Sequence, residues 1–268
     1  MHLHFLDPYQ PRRSPVHAAD SRLKLTLTLA FILTTSLTPA AAWPVYILLL
    51  ALILAVEILS GLGVGYVLKR ALLALPFVLA ALPLPFTIEG QALFSLPLGP
   101  WTLTASVEGL ARLVSVALKS WLSVQAAIVL AASTPFPDLL LAMRALGIPR
   151  LLVAMFGLTW RYLFVLADEA LRLMRARAAR SGEGAAAGAR SGGSVAWRAR
   201  VTGGMAGSLF LRAFERSDRI YAAMLSRGYD GEVRALPVPP MSGLQRLSLA
   251  AGLAGLGLLL LFALLLWG

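Results

Sequence analysis

The sequence predicts an all-α integral membrane protein with about five to six transmembrane helices and a pair of long, charged helices. Of its 268 residues, 58% are hydrophobic and only 14% are charged, whereas soluble domains average about 25% charged residues. The apolar residues form runs long enough to cross a bilayer core of about 30 Å. The charged residues are concentrated between these runs, which argues against one large soluble core.

Charge and residue types narrow the possible functions. The formal net charge is +11, but no basic-aromatic surface or recognised motif indicates nucleic-acid binding, so we expect no such partner. Cysteine is absent, which excludes disulfides, thiolate metal sites and cysteine nucleophiles. The histidines, His2, His4 and His17, all precede the first apolar run. We therefore expect a non-catalytic chain without histidine chemistry in its membrane body.

An N-terminal tail, residues 1–24, precedes the apolar runs. It is polar and rich in proline, unlike a cleavable signal peptide, so we expect the first apolar run to remain as a membrane span. Residues 25–134 are expected to form transmembrane helices 1–4. Prolines interrupt the third, which should therefore be kinked or broken. The predicted spans are 25–41, 45–62, 71–86 and the apolar part of a long helix at 101–132.

The interval 135–240 is more polar and contains the longest predicted helices. A short amphipathic helix is expected at about 136–146, followed by long helices at about 149–180 and 203–227. Residues 181–202 are rich in Gly, Ala, Ser and Arg, a composition typical of a mobile linker.

The remaining apolar runs set the number of spans. Residues 241–268 contain a strongly apolar run, 247–267, which is the last predicted transmembrane helix. By hydropathy, 149–167 counts as a sixth span. A central Arg161 would cost about 2.5–3.5 kcal/mol inside the bilayer. We therefore expect this helix at the membrane surface, with its apolar side against the helical bundle.

Lysine and arginine are unevenly distributed along the chain. They are frequent in 12–24 and in 172–200, whereas the connector 87–100 contains none. Cytoplasmic loops of membrane proteins accumulate these residues. We therefore expect the N-terminus and the whole interval 135–240 in the cytoplasm, and 87–100 on the external side.

Both long helices carry charged side chains at helical spacing. On the second, Glu215 is placed to pair with Arg219 and with Arg212. An ordinary solvated helix face is the alternative explanation for most of these charges. The residues that we expect to support the two helices are Arg161, Asp168, Glu169, Arg172, Glu215 and Arg219.

Each long helix finishes in a tripeptide of a small residue, arginine and a small residue. These are Ala179-Arg180-Ser181 and Ser226-Arg227-Gly228. Small neighbours leave a guanidinium unobstructed, and its planar fork of donors suits carboxylates or main-chain carbonyls across an interface. Attraction of a basic residue to the helix C-terminus is the simpler alternative. Because two such ends occur in one interval, we favour a docking function at two similar sockets.

The chain resembles the transmembrane T component of energy-coupling factor (ECF) transporters, and in particular the CbiQ type, which serves cobalt uptake. The first matching region is 14–25, Ser-Pro-Val-His-Ala-Ala-Asp-Ser-Arg-Leu-Lys-Leu. The second comprises Thr134-Pro135, Leu146-Gly147-Ile148-Pro149, Trp160-Arg161-Tyr162 and Glu169. The third is the pair of arginine tripeptides.

This resemblance implies specific partners. The two long helices would be coupling helices of a bacterial inner-membrane importer, docking into two ABC-type ATPase subunits through Arg180 and Arg227. The space for these two guanidinium groups would come from their small neighbours, Ala179, Ser181, Ser226 and Gly228. A CbiM-like substrate-binding S component and a small accessory membrane subunit would complete the complex in the bilayer. This chain would bind no cofactor: ATP and Mg would be bound by the ATPases, and cobalt would be the transported ion.

Several alternatives remain open at this stage. Nickel and a vitamin are the alternative transported substrates. A self-contained secondary transporter is disfavoured because no inverted repeat is visible and Glu57 is the main ionisable residue within the spans. An intramembrane enzyme is disfavoured because the spans lack His, Cys and paired acids. Met1, His2 and His4 form a candidate metal-binding group, with a flexible tail as the alternative.

Overall fold

The computed structural model describes residues 8–88, 90–98, 101–180, 194–230 and 240–267. The described part is predominantly helical, which confirms the predicted all-α class. Two compact units are present, one formed by 8–146 with 238–268 and the other by 147–237. The helices of the first unit are α1 Pro15–Ala18, α2 Ser21–Leu37, α3 Trp43–Ser60, α4 Val64–Ala71, a 3-10 turn Leu72–Ala74, α5 Leu75–Ala81, α6 Leu84–Thr87, α7 Val107–Ser133, α8 Phe136–Ala145 and α11 Gly243–Trp267. The second unit contains α9 Arg150–Arg180 and α10 Val195–Leu225.

Helices α2, α3, α7 and α11 build the core of the first unit. Its side chains are almost fully buried, whereas many large apolar residues on the opposite helix faces are exposed, as expected of helices surrounded by lipid. Representative core residues are Phe31, Val45, Leu49, Ile53, Leu122, Ala126 and Leu256. This arrangement is typical of a multi-pass membrane body.

Five helical segments within the described residues are long and apolar enough to cross a membrane: Trp43–Ser60, Val64–Thr87, Val107–Ser133, Arg150–Arg180 and Gly243–Trp267. Helix α2, with 17 residues, overlaps the first predicted span but begins and ends four residues earlier, at Ser21 and Leu37.

The segment Val64–Thr87 is broken, as its prolines predicted. It consists of α4, the 3-10 turn, α5 and α6. Pro76 and Pro85 each lie at the start of a short helix, where the missing N–H is tolerated. The segment begins at Val64, earlier than the predicted residue 71.

An antiparallel hairpin replaces part of the expected connector and part of the following helix. Strands β1 Ala92–Leu98 and β2 Trp101–Ser106 pair with each other. The prediction of a helix from residue 101 is therefore wrong, because α7 begins only at Val107. The reason is local: the Ser106 hydroxyl accepts a hydrogen bond from the Gly109 amide at 3.0 Å and caps the helix there.

The described part of the N-terminal tail is packed against the membrane body. The Gln10 amide donates to the Ala132 carbonyl at 2.9 Å, and the Arg12 guanidinium donates to the carbonyl of Gly61. His17 bridges the Ser14 hydroxyl and the Gln10 carbonyl through its two ring nitrogens, at 2.7 and 3.0 Å. Burial is the main cause that lowers the pKa of His17, and it outweighs the hydrogen bond that the ring donates to the Gln10 carbonyl, which raises this pKa.

Helix α10 begins at Val195, eight residues before the predicted start at 203. The Ser194 hydroxyl accepts a hydrogen bond from the Trp197 amide at 3.3 Å and so caps this earlier start. Residues 195–202 are therefore helical and not linker, and Gly203 and Gly204 are accommodated inside the helix. The rest of the predicted linker, 181–193, lies outside the described residues.

Candidate docking site on the two long helices

Helices α9 and α10 lie antiparallel and are joined by a carboxylate between two arginines. Glu169 accepts hydrogen bonds from Arg216 at 3.0 Å and from Arg212 at 3.3 Å. Further along α9, Arg177 donates to the Thr202 hydroxyl at 3.3 Å, near the start of α10. Residues later in α9 thus face residues earlier in α10, which defines the antiparallel direction.

The two arginine tips lie at opposite ends of this pair, and each follows the Glu169–Arg216 contact by the same number of residues. Arg180 follows Glu169 by 11 residues, and Arg227 follows Arg216 by 11 residues. At 1.5 Å per residue, each tip is about 16 Å from the Glu169–Arg216 contact. Because the helices are antiparallel, the tips point away from each other, and helix length allows a separation along the axes of up to about 30 Å. The helix pair therefore presents two similar basic ends in a roughly two-fold arrangement.

The end of α10 is fixed by a reverse turn at Gly228, which has φ +76°. The Gly228 amide donates to the Leu225 carbonyl at 3.0 Å, and the Tyr229 amide donates to the Met224 carbonyl at 3.0 Å. This pair of hydrogen bonds is the Schellman arrangement, which requires a left-handed residue after the helix. The helix stop predicted at Gly228 is confirmed. The turn leaves Arg227 exposed at the tip of the helix.

The end of α9 presents its arginine in a similar way. Arg180 is the last residue of α9, and both Ala179 and Arg180 are exposed. On α10, Ser226 is exposed and its hydroxyl donates to the Ala223 carbonyl at 3.0 Å. The third member of the first tripeptide, Ser181, lies outside the described residues. The docking role of these tips stays a prediction.

The charged residues expected to support the helices divide into two groups. Glu215 and Arg219 form the predicted pair at 4.0 Å, but both side chains are about 70% exposed. Such a pair contributes only about 0.2–1 kcal/mol. Arg212, also proposed as a partner of Glu215, contacts Glu169 of the other helix. Arg161 is exposed and Asp168 is half-buried.

The contact between Glu169 and Arg216 was not predicted from the sequence, although Glu169 was a candidate supporting residue. Spacing along one helix reports neighbours on that helix only. The equal 11-residue offsets from Glu169 to Arg180 and from Arg216 to Arg227 are the one signal that relates the two helices.

The candidate metal-binding residues Met1, His2 and His4 fall outside the described residues. Within the described part, no group of three or more His, Cys, Asp or Glu side chains is placed to hold a metal ion.

Comparison with known proteins gives a consistent set of similarities. The model of the CbiQ family, described as cobalt transport protein, matches residues 12–237. The chain is 29% identical to the energy-coupling factor transporter transmembrane protein EcfT of Thermosediminibacter oceani, covering 83% of each chain. It is 28% identical to EcfT of Lactococcus lactis, again covering 83% of each. It is 29% identical to the cobalt transport protein CbiQ of Rhodobacter capsulatus, over 60% of this chain and 62% of that protein.

Proposed function

Since this chain belongs to the CbiQ family of cobalt transport proteins, we propose that it is the transmembrane coupling subunit of an ECF-type importer for cobalt ions. In this proposal, two ATPase subunits each receive one arginine tip. A membrane-bound S component, CbiM-like, binds the ion. A small accessory membrane subunit completes the assembly in the bacterial inner membrane, with the N-terminus and the long helices in the cytoplasm.

The observation that carries the proposal is the geometry of the two tips. Arg180 and Arg227 are exposed ends of two helices that are joined by the Glu169–Arg216 ion pair. They point in opposite directions, as contact with two separate but similar subunits requires. Arginine suits such a contact because its planar fork can donate to several carbonyl or carboxylate oxygens at once.

The mechanism follows from rigid helices that are joined at one point. When the ATPases bind ATP and approach each other, they would move the two tips, and each helix transmits that movement along its length. The Glu169 contact with Arg212 and Arg216 keeps the helices coupled, so that displacement of one tip changes the position of both. Rigid-body movement of this type is an established form of conformational switching. ATP hydrolysis would take place in the partners, and this chain would be non-catalytic.

The transported substrate is the finer part of the proposal. The CbiQ family description supports cobalt. The relatives named EcfT cover more of this chain than the CbiQ of Rhodobacter capsulatus, 83% against 60%. That coverage keeps a T component for nickel or a vitamin as the second candidate. Uptake of radiolabelled cobalt, competed with nickel, by cells expressing the full complex separates the two.

Charge reversal at both tips tests the coupling role. We expect Arg180→Glu with Arg227→Glu to abolish co-purification of the ATPase pair while the chain stays folded in the membrane. The matched control is Arg175→Glu with Arg198→Glu, which reverses the same charge at exposed positions outside the two arginine tripeptides. If the tip variant retains its ATPases and its ATP-driven uptake, the docking proposal is wrong. Equal loss in the control would also contradict it, because the effect would then be one of net charge.

A further inference from the structure

A cleft on the α9–α10 pair concentrates positive charge beside the central ion pair. It has a volume of about 340 Å³, and its charged lining consists of Glu169, Arg172, Arg212 and Arg216. Apolar side chains, including Val165 and Leu173, form the remaining wall. Three guanidinium groups therefore share one cleft with one carboxylate.

The carboxylate does not satisfy all of these arginines. The Glu169 carboxylate forms ion pairs with both Arg212 and Arg216, at 3.3 and 3.0 Å. The Arg212 side chain is still 55% exposed, so part of its donor fork is free for another acceptor. Within 150–180 and 194–230, the Arg172 guanidinium has no hydrogen-bond or ion-pair partner. The cleft thus retains unused donors and excess positive charge, which favours an anion with several oxygen acceptors.

The surroundings of the cleft favour an anion that is attached to a lipid. Arg216 also lines a second cleft of about 360 Å³, whose walls include the apolar side chains Leu163, Leu166 and Ile220. On α9, the cleft arginine Arg172 follows an apolar stretch that is compatible with a membrane and has no buried residue. A basic site next to exposed apolar side chains fits a headgroup with its acyl chains, and basic pockets on the cytoplasmic side of membrane proteins bind such headgroups. An acidic peptide would leave the apolar flanks uncovered.

We propose that Arg172, Arg212 and Arg216 bind the phosphodiester of one anionic phospholipid, which holds the helix pair against the cytoplasmic leaflet. The proposal rests on the cytoplasmic placement of the helices in the proposed function, but not on ATPase docking. Arg172 supplies the donors that no protein group uses. The Glu169 carboxylate limits the net charge and keeps Arg212 and Arg216 facing the cleft.

Native mass spectrometry of the purified chain, without ATPases, tests this site. The chain is reconstituted with phosphatidylglycerol or with phosphatidylcholine, and the retained lipid is counted. We expect one tightly retained phosphatidylglycerol, and at least about fivefold weaker retention in Arg172→Gln, as the loss of one arginine near a membrane surface predicts. Arg175→Gln is the control, because it removes an equal charge one turn further along α9, outside the cleft lining.

The outcomes separate this proposal from its alternatives. Equal retention in Arg172→Gln and Arg175→Gln, or no preference for phosphatidylglycerol, would overturn it. Displacement of the lipid by millimolar inorganic phosphate alone would also overturn it, because the site would then accept a free anion. If the tip variant keeps its ATPases while Arg172→Gln loses the lipid, this inference stands and docking is wrong. If the tip variant loses its ATPases while Arg172→Gln keeps the lipid, docking stands and this inference is wrong.

Discussion

Replacing Glu169 by glutamine tests the contact that joins the two long helices. The substitution keeps the shape of the side chain but removes the charge that Arg212 and Arg216 share. Glu169 is 17% exposed and Arg216 is 31% exposed, so their contact is only partly screened by water. Arg212 is more exposed and contributes less. We expect the free energy of local opening at the contact between α9 and α10 to fall by about 1–2 kcal/mol. This value lies between those typical of exposed ion pairs and of charged hydrogen bonds.

Hydrogen–deuterium exchange of α9 and α10 measures this loss directly. A fall of about 1–2 kcal/mol corresponds to roughly 5- to 30-fold faster exchange of the amides near the Glu169–Arg216 contact. Asp168→Asn is the matched control, because this neighbouring carboxylate makes no ion pair within the described residues. A double-mutant cycle with Arg216→Gln should give a coupling energy of about 1 kcal/mol that decreases with salt. Additive effects of the two substitutions, or equal acceleration in Asp168→Asn, would refute the reasoning.

Other positions give independent predictions. Gly228→Ala should destabilise the end of α10 by about 1 kcal/mol, because φ at this residue is +76°. Gly204→Ala, inside the helix, should stabilise α10. Thermal unfolding should therefore show a lower melting temperature for the first variant and a higher one for the second. The free energy of unfolding should fall as pH decreases below 6.5, because burial lowers the pKa of His17 and favours its neutral form in the folded state. His17→Gln should therefore reduce the dependence of the melting temperature on pH between pH 7 and 5. An unchanged dependence would contradict this. Glu57→Met should raise the melting temperature, because this fully buried carboxyl has no hydrogen-bond partner within the described residues and an apolar side chain needs none; a large decrease would contradict this.

Sequence reasoning succeeded where structure depends on composition and local chemistry. The apolar runs located the membrane helices because long hydrophobic segments have few alternatives to crossing a bilayer. Prolines located the breaks in Val64–Thr87. Glycine after a charged helix located the stop at Gly228.

Sequence reasoning was less successful where neighbouring elements decide the outcome. Strands β1 and β2 are short and mostly apolar, so they resemble the start of the following helix until the Ser106 cap is recognised. The beginning of α10 was assigned to a linker because Gly203 and Gly204 suggested a break, although Ser194 caps an earlier start. The Glu169–Arg216 contact joins residues 47 positions apart, and periodicity within either helix carries no information about it.

Site-specific cross-linking can locate the contact between the arginine tips and the ATPases, since the sequence contains no cysteine. Cysteine would be introduced beside each arginine tip, as Ala179→Cys and Ser226→Cys, with the exposed mid-helix Ala206→Cys as control. The account predicts that each tip variant cross-links one ATPase, that the double variant cross-links two, and that the control cross-links neither. Cross-linking at Ala206→Cys in preference to the tips, or a single ATPase in the double variant, would contradict docking at two helix ends.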